Sequence, residues 1–408
     1  MTRRGFLSLG AGAGVSLLAG CSTGEQGSQQ EDSGQSDSGD DAQQDVPQAS
    51  QPSEEELAQQ RVDEIVSGLT LEQRVAQLFF VRPESLMGVS PVTVAADTSK
   101  EAYSRYPVGG IIYFAQNLQN PDQTRALLAN TTTYVTDACG LPPFLSVDEE
   151  GGTVARVAHN SSFGVQDVGN MCDVGATGDA QNAYTACNYI GSYLVDLGFN
   201  TDFAPDCDVC YNPSATVMAK RSFGSDPELV ASMVEQAVRG FADAGIFCTA
   251  KHFPGIGAAT GDFETEPISL DKTVDELAEA ELVPFKAAID AGAAMVMVGH
   301  LGCPGVSGDD TPASICSDVV QGILRDRLGF TGVAITDSCG MGAITSFGDA
   351  GEIAVRAIQA GEDMVLGPAD FTQAYNAVLD AVSAGTITDD RIDESIRRIV
   401  AAKLPLVG

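Results

Sequence analysis

Charged side chains stand at the ends of apolar runs in this chain, where core packing alone would put none. Ser146-Val147-Asp148-Glu149-Glu150-Gly151-Gly152 follows one run and Lys251-His252-Phe253-Pro254-Gly255 closes another. His300 ends a third, and Ile335-Thr336-Asp337-Ser338 ends a fourth. A charge at the end of a buried segment is unfavourable unless it is paired or used. A carboxylate such as Asp337, near Lys251 and Arg221, is expected to have a lowered pKa and to stay ionised, which suits a nucleophile. A second role for Asp337, capping the helix that follows, stays open.

The apolar runs that carry these residues are short and regularly spaced: Gln77 to Val81, Gly109 to Phe114, Pro143 to Val147, Thr201 to Ala204, Phe247 to Phe253, Met295 to His300, Gly332 to Asp337 and Asp363 to Leu366. Each precedes polar or Gly-rich residues and then a helical pattern, as in Leu229 to Ala244 and Asp275 to Ala291. A helix is also expected over Glu54 to Ser67, and another opening at Leu69 to Gln73. Buried-type strands alternating with helices predict an α/β protein, a single-domain (β/α)8 TIM-like barrel, with an open doubly wound sheet as the alternative. In such barrels the reactive groups sit at the C-terminal strand ends, so Asp148, Lys251, His252, His300 and Asp337 should meet at one mouth.

These segments, taken in order with Asn200 to Val209 (NTDFAPDCDV), Lys220-Arg221-Ser222-Phe223-Gly224 and Lys251 to Gly257 (KHFPGIG), resemble glycoside hydrolase family 3, in particular its single-barrel bacterial β-N-acetylglucosaminidases. The likeness runs from about Leu69 to Arg398. It implies a retaining double displacement with Asp337 as nucleophile. It also implies that Asp148, Arg156, Arg221, Lys251 and His252 bind sugar hydroxyls, with His300 and Met341 completing the substrate-binding set; an ion-pair network at the mouth is the other reading of the charged members. No cofactor or metal is implied, because the reaction needs only a nucleophile and a proton-transfer group.

One departure stands out. The family's strand 5 motif continues to an Asp-Ser-His whose histidine is the acid/base. Here Asp262 aligns with the aspartate, but Glu264 occupies the histidine position in Asp262-Phe263-Glu264-Thr265-Glu266. Flanking carboxylates should raise the Glu264 pKa and keep a proton on it, as a general acid requires. Glu266 is the next candidate, and loss of the proton donor is the remaining alternative. An anionic Glu264 would repel phosphate, so hydrolysis is expected over phosphorolysis.

The ends and the composition set the compartment and exclude some partners. Residues 1–21 place Arg3 and Arg4 before a short apolar run and Leu18-Ala19-Gly20-Cys21, which resembles a twin-arginine export signal with a lipobox, Cys21 carrying the lipid. Residues 22–52 are Gln, Ser, Gly and Asp rich, the composition of a disordered tether, leaving 53–408 as the barrel. The expected membrane contact is therefore the lipid anchor alone, on the outer face of the bacterial cell membrane. A net charge of −34 argues against nucleic acid as a partner. Nine cysteines besides Cys21 fit buried thiols better than a disulfide framework, and Cys207/Cys210 lacks the second pair that a structural zinc site needs. A monomer is favoured. Two functions follow as expectations: hydrolysis of terminal β-linked N-acetylglucosamine (or another β-glycoside), or glycan capture by a non-catalytic surface lipoprotein.

Overall fold

The computed structural model describes residues 52–211, 218–263 and 265–407. The expected export signal, Cys21, nearly all of the tether, and Glu264 lie outside the described residues.

Eight short parallel strands form one sheet: β1 (Phe79–Val81), β2 (Gly110–Ile112), β3 (Phe144–Val147), β4 (Thr201–Asp202), β5 (Phe247–Phe253), β6 (Met295–Val298), β7 (Val333–Thr336) and β8 (Val365–Leu366). Each pairs with its neighbour in chain order, and β8 returns to pair with β1 through Phe79 to Val365 and Phe80 to Leu366. A bridge between Ile335 and Met364, with the Thr336 N–H donating to the Met364 carbonyl at 3.1 Å, joins β7 to β8. The ring is thereby closed, as the barrel expectation requires and an open doubly wound sheet would not allow. Strands β1, β3, β6 and β7 are buried on both faces, which is why they read as largely apolar runs. Phe80, Phe144 and Phe203 fill the interior, with Phe80 centred 5.0 Å from Phe203.

The helices form the outer layer. Glu54–Ser67 is capped by Ser53 and Glu56, and Leu71–Gln77 by Thr70 and Gln73; each pair satisfies two otherwise orphaned N–H groups. The helix after β4, Pro227–Ala244, starts on Asp226, whose side chain accepts from Glu228 and Leu229 N–H. The pattern over Asp275 to Ala291 resolves instead into two helices, Val274–Ala278 and Leu282–Asp290. Pro284 has no N–H to give Ala280, and its ring would crowd that carbonyl, so the helix restarts. A two-residue parallel ribbon, Ile268–Ser269 against Leu301–Gly302, ties the end of the loop after β5 to the loop after β6. At the opposite end of the barrel, the buried Lys403 amine donates to Gln77 Oε1 at 2.7 Å and lies 4.8 Å from the Phe144 ring centre.

Candidate active site

The C-terminal strand ends surround a cavity of about 930 Å³, near the upper end of the ~300–1,000 Å³ usual for ligand pockets. Its lining includes Asp148 after β3, Arg221 from the β4 loop, Lys251 and His252 on β5, His300 after β6, and Asp337 and Met341 after β7. Arg156, Asp262 and Glu266 line it too. Every described member of the expected site therefore faces one space.

Asp337 follows directly on β7. Its N–H donates to the Val298 carbonyl at 2.8 Å, and its Oδ1 accepts from the Ser338 N–H at 2.7 Å. It caps no helix: the next one, Gly342–Thr345, has Met341 at its N-cap. Burial pushes the Asp337 pKa up, but the imidazoles of His252 and His300, the Ser338 N–H and the Lys251 ammonium together bring it below the ordinary carboxylate value. The shift runs in the direction expected from the sequence, with the histidines ahead of Lys251 among its causes.

His300 is fully occupied by protein. Its Nε2 lies 3.0 Å from the Ser338 carbonyl, which can only accept, so Nε2 carries the proton and Nδ1 accepts from the Ser314 hydroxyl at 2.7 Å. Burial lowers its pKa and favours that neutral ring. His300 thus holds the backbone beside Asp337.

The cations are tied to acids that the sequence reading did not single out. Glu150, 3% exposed, accepts both guanidinium arms of Arg221 at 2.7 and 2.8 Å and pairs with Lys251 at 2.6 Å. Burial opposes its charge, yet Arg221 and Lys251 hold its carboxyl well below the usual range. Lys251 also pairs with Asp148 at 3.2 Å, and Arg156 approaches Asp148 at 3.7 Å. The ion-pair network and the ligand-facing set are thus the same residues. Gly151 and Gly152 turn the chain here at φ +90° and +55°, and a Cβ on Gly152 would meet Asn170 Oδ1 at 2.4 Å. Glu149, fully buried, accepts the N–H groups of Arg156, Val157 and Ala158 at 2.5 to 2.8 Å and the Tyr193 hydroxyl at 2.7 Å, which fixes the loop carrying Arg156.

The β4 segment Asn200 to Val209 supplies a second buried pair, Asp206 and Asp208. A bridge between Asp206 and Lys251 extends the β4 to β5 ladder to the mouth and sets both acids beside Lys251 and His252. Burial, and then the neighbouring Asp208, raises the Asp206 pKa well above normal. Asp206, Asp208 and His252 are the described residues close enough to hold a metal ion, their ligand atoms lying within 4.8 Å. Arg221 already sits 3.7 Å from Asp206 and 3.2 Å from His252 Nε2, so a cation occupies that corner. Cys207 and Cys210 are buried and form no disulfide, and His159 is an outer-loop residue paired with Asp167 at 3.3 Å.

Described residues of the loop after β5 border the cavity. Ala259, Thr260, Gly261, Asp262, Phe263 and Glu266 line its inner side, and the Phe263 carbonyl accepts from the Ala343 N–H at 3.0 Å. Asp262 and Glu266 are exposed there.

A closed parallel barrel whose acids and cations converge on its C-terminal mouth has counterparts among known proteins. Residues 70–402 match the family described as glycosyl hydrolase family 3 N terminal domain, and the chain belongs to that family. It is 32% identical over 330 residues to beta-hexosaminidase A of Pseudoalteromonas piscicida, a match that covers 75% of this chain and 55% of that protein. It is 33% identical over 325 residues to beta-hexosaminidase LpqI of Mycobacterium tuberculosis, covering 77% and 80% respectively. Among solved structures, a glycoside hydrolase family 3 beta-N-acetylglucosaminidase from Paenibacillus sp. is similar with a TM-score of 0.77 and 40% identity, over 82% of this chain and 62% of that one. The chain thus spans just over half of the first relative and under two thirds of the Paenibacillus enzyme.

Proposed function

We propose that this protein is a retaining β-N-acetylhexosaminidase that releases terminal β-linked N-acetylglucosamine from glycans or murein fragments through a covalent glycosyl-enzyme on Asp337. The observation that carries the reading is Asp337 itself. It is an ionised carboxylate on the cavity wall, oriented through Ser338, with no cation in direct contact among the described residues to neutralise it. Similarity to proteins named as beta-hexosaminidases and to a beta-N-acetylglucosaminidase structure supports the sugar.

In the first step Asp337 attacks the anomeric carbon while a general acid protonates the departing oxygen; in the second, the same group removes a proton from water, which displaces Asp337. The low pKa of Asp337 serves both steps, keeping the nucleophile ionised and making it a fair leaving group. Glu264 is the proposed acid/base, on a loop whose neighbours Asp262 and Glu266 line the cavity. An anionic Glu264 would oppose phosphate in the second step and so favours water. Asp148, Lys251 and Arg156 would orient the sugar hydroxyls, with Arg221 and His252 behind them and Met341 on the wall. No metal or organic cofactor enters this scheme.

We also propose export with a lipid anchor at Cys21, supported by the pattern of residues 1–21. No helix among the described residues is long and apolar enough to cross a membrane. The test of the function is release of chromophore from an aryl β-N-acetylglucosaminide by the full chain. Steady turnover is expected; absence of turnover on this and other aryl β-glycosides, together with measurable sugar binding, would replace hydrolysis with glycan capture.

A further inference from the structure

Asp208 lies at the end of the β4 segment and is fully buried. Its two oxygens face two different donors. Oδ1 accepts the Ile256 N–H at 2.5 Å, and Oδ2 lies 2.8 Å from His252 Nδ1 and 3.4 Å from the His252 N–H. On its other edge, His252 Nε2 lies 3.2 Å from Arg221 Nη2. A guanidinium nitrogen only donates, so Nε2 is the acceptor there. The ring proton is then on Nδ1 and is donated to Asp208; a doubly protonated ring would set two cationic donors against each other.

We propose that Asp208 is a positioning residue: it fixes His252 in the Nδ1–H tautomer so that Nε2 holds Arg221, and through Ile256 it anchors the root of the loop from 258 to 267. One buried carboxylate thereby links the sugar-facing cations to the loop that carries the proposed acid. The relay runs from Asp208 to His252, then Arg221, Glu150 and Lys251, every link a polar contact of 3.2 Å or less. The ionisable groups around His252 are Asp206, Asp208, Arg221, Lys251, His300 and Asp337. The kinetic part of the inference rests on the proposed hydrolysis, whereas the tautomer does not.

The test is long-range proton–nitrogen NMR of the imidazoles in the ¹⁵N-labelled full chain near neutral pH, with His252→Gln to assign the ring. In the unsubstituted protein, His252 should show a protonated Nδ1 and an unprotonated Nε2. In Asp208→Asn the amide group must face either Ile256 or His252. A ring tautomer changes more readily than a backbone N–H can be left unpaired, so the Nε2–H form should appear. KM for the aryl β-N-acetylglucosaminide should then rise by about 10-fold, the lower end of the range seen when the outer partner of a metal-bound histidine is lost, with kcat changed much less. A protonated Nε2 in the unsubstituted protein overturns the proposal whether or not the variant folds. Unchanged ring signals and KM in a folded Asp208→Asn do the same. Absence of turnover by the unsubstituted protein would sink the hydrolysis reading and leave the NMR result standing.

Discussion

Glu150→Gln is the perturbation whose size the structure fixes best. The carboxylate takes Lys251 at 2.6 Å and two guanidinium bonds at 2.7 and 2.8 Å, with the Lys251 side chain 3% exposed and that of Arg221 13% exposed. At an effective dielectric of ~20, a pair 2.6 Å apart is worth about 6 kcal/mol, and relief of the carboxylate's own desolvation removes part of that. Lys251 keeps the acid Asp148 at 3.2 Å, whereas the one acid left to Arg221 among the described residues is Asp206 at 3.7 Å. Glutamine preserves the shape but turns an NH2 toward one of the cations. The expected loss of folding stability is therefore roughly 3–5 kcal/mol, the range for breaking one side of a buried pair. Denaturant titration of the full chain, followed by circular dichroism and tryptophan-independent probes, reads it directly. The pH dependence gives an independent check. Glu150 has a depressed pKa in the folded state, so its contribution is present above the unfolded value of 4.5 and is lost as pH falls below it. The difference between the two proteins should shrink in acid. A change under about 1 kcal/mol at neutral pH would refute the reasoning that this acid holds the two cations.

Three further outcomes follow from the same structure. Glu264→Gln should slow glycosides with poor leaving groups far more than activated aryl glycosides; equal losses on both would remove Glu264 from the acid/base role. Because Asp337 is held below 3.8, the limb of kcat/KM that reports its ionisation should lie below that pH, and Lys251→Met should move it upward by removing a cation that acts there; a pH profile of both proteins checks this. Burial lowers Lys403 from 10.5 to about 7, so the folded state disfavours its proton, and the penalty is fullest below about 7 and fades as pH rises toward 10.5. Lys403→Met should accordingly stabilise the protein by about 1–3 kcal/mol near neutral pH, after allowing for the partner that Gln77 loses, and the gain should vanish in alkali.

The strands and the mouth were legible in the sequence for the same physical reason. A parallel strand buried on both faces is mostly apolar, and a charge is tolerated where the strand reaches the cavity, as at Asp148, Lys251 and Asp337. The observed strands are shorter than the apolar runs: Gly109 to Phe114 becomes Gly110–Ile112 and Met295 to His300 becomes Met295–Val298. The partners of the cations were not legible. Arg221 and Glu150 are 71 positions apart, and His252 and Asp208 are 44 apart, so only the lateral pairing of β3, β4 and β5 brings each pair together. The signal available was the acid-rich text of Asp148-Glu149-Glu150 and Asp206-Cys207-Asp208, in a region expected to be buried. The helix break before Leu282 had a local signal in Pro284, which the apolar period over Asp275 to Ala291 outweighed.

The central claim is a covalent bond from Asp337 to the anomeric carbon. Incubation of the full chain with a mechanism-based 2-deoxy-2-fluoro or 5-fluoro glycosyl donor, followed by proteolysis and mass spectrometry, tests it most directly. The mass of one fluorosugar on the peptide containing Asp337, lost in Asp337→Asn, is the predicted result. A label on any other side chain, or undiminished turnover by Asp337→Asn, would contradict it.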